Sequence, residues 1–122
     1  MLLDVIEHIE DYSKPLKEIF RVLKPKGHLI LTTPNLISLL GRVMLIFGLS
    51  PWAMAVDRSH IRFFTPKDIL EIFKDCGHVK LYANTVSLPV PSHIFSARIS
   101  PNAKFLLNFC DMVIAQITKK GN

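Results

Sequence analysis

Two acids and a histidine stand within the first eight residues, Asp4, Glu7 and His8, in the spacing D-x-x-E-H. If the chain turns near Ile6, Asp4 and His8 approach one face with Glu7 beside them. Two carboxylates and an imidazole make a hard-to-borderline ligand set, suited to Mg²⁺ or Mn²⁺ that keeps some of its waters. His60, in "SHIRFFT", is available as a fourth ligand if the loop that carries it folds back over the same rim. The competing reading is an ordinary polar rim with a loop histidine. Other polar groups carry weaker signals. Thr32, Thr33 and Asn35 could bond a ligand at a strand tip or cap the turn at Pro34. His28 reads as structural, and His78 and His93 have no partner at ligand spacing. No serine has a nucleophile-elbow setting, and the five glycines are dispersed, so no phosphate-cradling loop is legible.

These residues need elements to hold them. Leu2–Ile6 is apolar apart from Asp4 and reads as the tail of a buried strand. "EDYSKPLKEIFRVLKPKG" predicts a helix with Ser13 as N-cap, Pro15 in the first turn and Leu16, Ile19, Phe20 and Leu23 on one face; Pro25 and Gly27 end it. "HLILTTPN" predicts a strand buried on both faces, as in a parallel sheet. Together they form a βαβ unit, whose functional residues gather beyond the carboxyl ends of its strands. "FTPKDILEIFKDCGH" predicts a second helix, with Thr65 as N-cap, Pro66 at N1, Asp68 closing a capping box and Gly77 as the C′ residue. Its inner stripe is Ile69, Ile72, Phe73 and Cys76. "VKLYANTVSL" reads as one strand, followed by a helix over about 102–110 and a final strand over about 112–118.

The 21 residues of "LISLLGRVMLIFGLSPWAMAV", 36–56, contain one charge, Arg42. Gly41, Gly48, Pro51 and Arg42 argue against a membrane span. The expectations are a lid over the strand ends, a helix in a membrane interface beside Trp52, or a core helix. The whole chain, 122 residues with a formal charge of +5, suits a single domain drawn to anionic partners. Its cations are scattered, which speaks against nucleic acid. Two distant cysteines, Cys76 and Cys110, and no signal peptide fit a reducing cytoplasm.

The stretches "DVIEHIEDYSKPLKEIFRVLKPKGHLILTTPN" and "HIRFFTPKDILEIFKDCGH" resemble the second half of a class I S-adenosylmethionine-dependent methyltransferase, most closely the ubiquinone-biosynthesis O-methyltransferase type. The resemblance covers nearly the whole chain. It implies an α/β fold, the C-terminal half of a Rossmann-like sheet: strands four to seven with flanking helices, without the N-terminal cofactor-binding strands. Leu2–Ile6 corresponds to the fourth strand, 28–33 to the fifth, and the last two segments to a closing antiparallel hairpin. In such enzymes an acid-x-x-Glu-His motif and a later histidine hold a divalent cation, so the resemblance implies Asp4, Glu7, His8 and His60 as metal ligands, His8 as the catalytic residue and Leu3 as a cofactor contact. Asp4 is shorter than the glutamate of the best-known members. The segment 36–56 corresponds to the part that meets the membrane in the quinone enzymes.

Two kinds of function follow from this resemblance. One is S-adenosylmethionine-dependent methyl transfer, expected on the oxygen of a small or lipid-like acceptor. The other is a non-catalytic module of the same fold that binds a membrane surface or, through an exposed sheet edge, a partner chain or second copy.

Overall fold

The computed structural model describes residues 1–55, 57, 59–90, 93–98 and 104–121. Its centre is a four-stranded mixed sheet in the order β1-β2-β6-β3. β1 is only Leu2–Leu3 and runs parallel to β2, His28–Pro34, with Leu2 opposite Leu31. β6, Met112–Lys119, inserts antiparallel between β2 and β3, Gly77–Ala83. A two-stranded hairpin, β4 (Thr85–Val90) with β5 (His93–Arg98), stands apart from this sheet.

Between β1 and β2 lies α1, Ser13–Val22, which covers one face of the sheet. Leu16 is buried, and Ile19 and Phe20 pack on the same core. The helix begins at Ser13 itself. Its cap is supplied two residues earlier than expected: Asp11 accepts bonds from both the backbone and the hydroxyl of Ser13, and these hold its carboxyl below the usual range. At the other end Lys119 donates to the orphan carbonyls of Phe20 and Leu23. Lys26 takes a left-handed conformation there (φ 61°).

α4, Pro66–Phe73, packs on the same face and carries the complete capping box between Thr65 and Asp68. Ile69 and Phe73 are fully buried against Leu29, Leu31, Ala115 and Ile117. Each such side chain contributes roughly 1.5–3 kcal/mol by leaving water. Gly77 is not a helix cap. It opens β3, where a Cβ would sit 2.0 Å from the carbonyl oxygen of Thr118, so close strand approach is what requires glycine.

Three sequence expectations are corrected. β2 is fully buried on one face only: Leu29, Leu31 and Thr33 alternate with half-buried residues. β6 makes its second neighbour antiparallel, so the uniformly apolar run does not mark a two-sided parallel strand. "VKLYANTVSL" breaks at Asn84 into β3 and β4, and β4 leaves the sheet to pair with β5. In place of a helix over 102–110 the described part shows a 3₁₀ turn, Lys104–Leu106, and further turns to Phe109; Asn102 lies outside the described residues. The apolar segment forms α2, Leu39–Ile46, capped by the Ser38 hydroxyl, and a four-residue α3, Trp52–Ala55. Val56 and the side chain of Trp52 lie outside what is described. Among the described residues no helix is long and apolar enough to cross a membrane.

Candidate functional site

After β1 the chain makes a left-handed residue at Asp4 (φ 52°) and a 3₁₀ turn, Ile6–His8. The turn sends Ile6 into the core and Glu7 into a buried position at the sheet's rim. Asp4 goes elsewhere. Its backbone N–H donates to the carbonyl and hydroxyl of Thr32, and its carboxylate accepts from the Thr32 hydroxyl at 2.9 Å. Asp4 therefore fastens β1 to β2 and stays exposed, outside the group formed by Glu7, His8 and His60. Leu3 is half exposed beside the sheet's open edge.

The loop before α4 folds back over this rim. The N–H groups of Ile61 and Arg62 both donate to the Glu7 carbonyl, at 3.0 and 3.1 Å. The Arg62 guanidinium holds the carbonyls of Ile9 and Glu10 and lies over the Tyr12 ring. His60 is thereby placed with its ring centroid 4.7 Å from that of His8. Glu7, His8 and His60 can each offer one ligand atom, all within 4.8 Å of one another.

The hydrogen bonds fix both imidazoles. His60 Nδ1 lies 2.9 Å from the Ala53 carbonyl, which can only accept, so this nitrogen carries the proton. His8 Nδ1 lies 3.1 Å from the Ser59 carbonyl and 2.9 Å from its hydroxyl, whose own proton goes to Asp57 at 2.7 Å. Nδ1 of His8 is therefore the donor too. In both neutral rings Nε2 keeps its lone pair. The Ser59 bonds also hold the Asp57 carboxyl below its usual range.

Glu7 is 1% exposed. Its Oε2 accepts from the Thr33 hydroxyl at 3.3 Å. Its Oε1 is buried without a hydrogen-bond partner and faces His60 Nε2 at 4.0 Å. Two acceptors opposed across that gap need a proton or a cation between them. Imidazoles whose Nδ1–H is held by backbone carbonyls, with a carboxylate steadied by a hydroxyl, also form the usual surroundings of a metal site. This donor set fits a divalent ion.

A cavity of about 320 Å³ opens beside His60 at the carboxyl ends of β2 and β3. Its apolar lining is Pro34, Met112 and Ala53, so α3 borders it directly. Asn84, Thr85 and Asp111 complete the wall. Asp111 is fixed by its backbone: its N–H donates to Thr85 and its carbonyl accepts from Asn35. Asn35 is fully buried and donates to the carbonyls of Leu107 and Cys110, which sets the turn before Asp111. Burial pushes the Asp111 carboxyl above its ordinary range, against the 2.7 Å bond from the Ser87 hydroxyl.

Of the expected ligand set Asp4, Glu7, His8 and His60, the fold brings Glu7, His8 and His60 together and leaves Asp4 apart. The sequence pattern missed Asp111, Asn84 and Ser59. Asp111 lies 51 residues beyond His60 with no spacing to link them; an acid directly before a final strand was the one available cue. Thr33 and Asn35 support the site from behind: Thr33 bonds Glu7, and Asn35 clamps a turn.

A family model described as a methyltransferase domain matches residues 1–82. The chain belongs to that methyltransferase family. No curated protein matches it. Among solved structures, a SAM-dependent methyltransferase from Thermotoga maritima, described as a possible histamine N-methyltransferase, is similar at 20% identity with a TM-score of 0.62. The similarity covers 97% of this chain and 54% of that one, so the chain spans about half the length of that structure. At this identity the likeness shows the fold, a mixed α/β sheet with flanking helices in a partial class I methyltransferase arrangement.

Proposed function

We propose that this chain forms the acceptor side of an S-adenosylmethionine-dependent methyltransferase that acts on a hydroxyl group of a small molecule bound in the cavity beside His60. The observation that carries the reading is the unpartnered Glu7 Oε1 facing His60 Nε2 at 4.0 Å, next to that cavity. With Nδ1 tied to Ala53, His60 is poised to take a hydroxyl proton on Nε2, and Glu7 stabilises the imidazolium that forms. S-adenosylmethionine, when bound, supplies a sulfonium methyl that passes to the acceptor oxygen while the breaking S–C bond leaves its electron pair on sulfur.

Leu3 offers the cofactor an apolar contact at the open edge of β1. Its side chain supplies no polar partner for a ribose or amino-acid group, so those contacts are assigned to no described residue. The convergent Nε2 atoms favour a second reading: Glu7, His8 and His60 hold a divalent cation, which would supply Lewis-acid activation of the hydroxyl. His8 then serves as a ligand rather than as the catalytic group.

Two surfaces would serve partners. The outer edge of β1 has no strand beside it among the described residues. Leu45, Ile46, Phe47 and Leu49 form an exposed apolar tip at the C-terminal end of α2, which suits a lipid interface or a lipid-like acceptor.

The test is acceptor-dependent release of S-adenosylhomocysteine by the protein isolated from its natural source, compared with a His60→Gln form. The reading expects release that falls at least about a hundredfold in the variant, the scale of a general base. Cofactor turnover indifferent to His60, or none with any hydroxyl acceptor, would favour a non-catalytic module.

A further inference from the structure

His60 Nε2 faces two carboxylates. Glu7 Oε1 lies 4.0 Å from it on the buried side, and Asp57 Oδ2 lies 4.0 Å from it on the solvent side. The other Asp57 oxygen, Oδ1, accepts from both the N–H and the hydroxyl of Ser59. That turn needs one oxygen, which asparagine supplies equally well. Oδ2 therefore adds nothing to the turn. It adds a negative charge beside Glu7, a buried carboxylate whose Oε1 already lacks a partner. Two carboxylates facing one nitrogen repel each other unless a positive charge stands among them.

Chain neighbours of Asp57 orient both rings. The Ala53 carbonyl holds the Nδ1 proton of His60, and the Ser59 carbonyl holds that of His8, which frees both Nε2 atoms. Adjacent ligand atoms on one six-coordinate ion lie about 3 Å apart and opposite ones about 4.2 Å. Gaps of 4.0 Å therefore need to close by about 1 Å at most to share an ion. Two carboxylates and two neutral imidazoles also cancel the charge of a divalent cation, and buried charge is tolerated when it is paired. Asp4 is turned away from this group: it sits in a left-handed turn with its carboxylate on the Thr32 hydroxyl.

We infer that Asp57, rather than Asp4, is the fourth protein ligand of a divalent cation held by Glu7, His8 and His60. The ion then ties the chain after α3 to the rim, and the same stretch keeps both imidazoles aimed at it. The inference rests on the cation reading of this rim, and its test separates the two.

Free Mn²⁺ is followed by electron paramagnetic resonance as the ion is titrated into the full 122-residue chain near neutral pH. Wild type is compared with Asp57→Asn, Asp4→Asn and Glu7→Gln. Asparagine keeps the oxygen that serves Ser59 in one variant and the oxygen that serves Thr32 in the other, so each loses only a charge and a potential ligand atom. Losing an outer partner of a metal ligand costs about 10–100-fold in affinity, and losing a ligand costs no less. Asp57→Asn and Glu7→Gln should each weaken Mn²⁺ binding at least about tenfold, while Asp4→Asn binds as the wild type does. In chelator Asp57→Asn should melt no lower than the wild type. Weaker binding with a lower melting temperature in chelator would mark Asp57 as a structural residue and overturn the inference, as would Asp4→Asn proving the weaker binder. Binding that needs Glu7 but not Asp57 would sink this inference alone. A wild-type chain that takes up no Mn²⁺ would sink the cation reading with it.

Discussion

Glu7→Gln is the sharpest perturbation of the rim. The substitution keeps the shape of the side chain and exchanges a buried carboxylate for a neutral amide. Its carbonyl oxygen can keep the Thr33 bond, now 3.3 Å, while its nitrogen turns toward His60 Nε2, which is 4.0 Å from Oε1 and has its lone pair free. An unsatisfied buried acceptor costs about 1–3 kcal/mol, and more when charged. Relieving it should stabilise the chain by about that amount. For a domain of this size each kcal/mol moves Tm by roughly 3–6 °C, so in chelator-treated buffer the variant should melt roughly 3–18 °C higher than the wild type. Added Mn²⁺ should reverse the order. Saturation to a hundredfold excess over Kd adds about 2.7 kcal/mol to a chain that holds the ion, and the amide is a poor ligand. Differential scanning calorimetry with chelator and then with Mn²⁺ reads both steps. A Glu7→Gln chain that melts below the wild type in chelator would refute the reasoning, because Glu7 would then be a structural carboxylate.

Further expectations concern other parts of the molecule. Asp111→Asn should be more stable than the wild type at neutral pH. Because burial raises the folded-state value above the ordinary 3.8, the contribution of this carboxyl is present below that value and lost as pH rises through the folded one. Melts between pH 3 and 7 should therefore show the variant's advantage growing with pH; a constant gap would deny it. Thr65→Ala removes one half of the α4 capping box and should cost about 1 kcal/mol in urea unfolding. Phe47→Asp, at the apolar tip, should abolish co-sedimentation with anionic liposomes if that tip meets lipid, and unchanged pelleting would exclude it.

Much of the frame was legible because it depends on local chemistry. The Thr65–Asp68 box, the α1 stripe Leu16/Ile19/Phe20 and the strand "HLILTT" depend on neighbours within a few residues. What failed depended on partners far away. Gly77 reads as a helix cap until Thr118 is seen against it. "VKLYANTVSL" reads as one strand because nothing local reveals that β6 and β5 take its two halves. At the rim, Glu7 with His8 and His60 was legible as polar groups at the end of an apolar run. Asp4 was misplaced because a left-handed turn and Thr32, 28 residues away, decide its direction. Asp111 was invisible for the same reason: Asn35 and Thr85 place it, and neither is near it in sequence.

The most direct measurement of the central claim is where the methyl goes. Tyramine offers a hydroxyl and an amine in one molecule. Incubated with the naturally isolated protein and S-adenosylmethionine carrying a trideuterated methyl, it should acquire the label on its oxygen and not on its amine, located by fragmentation in mass spectrometry. Label on the nitrogen, or none on either atom, would contradict the account of His60 and the cavity.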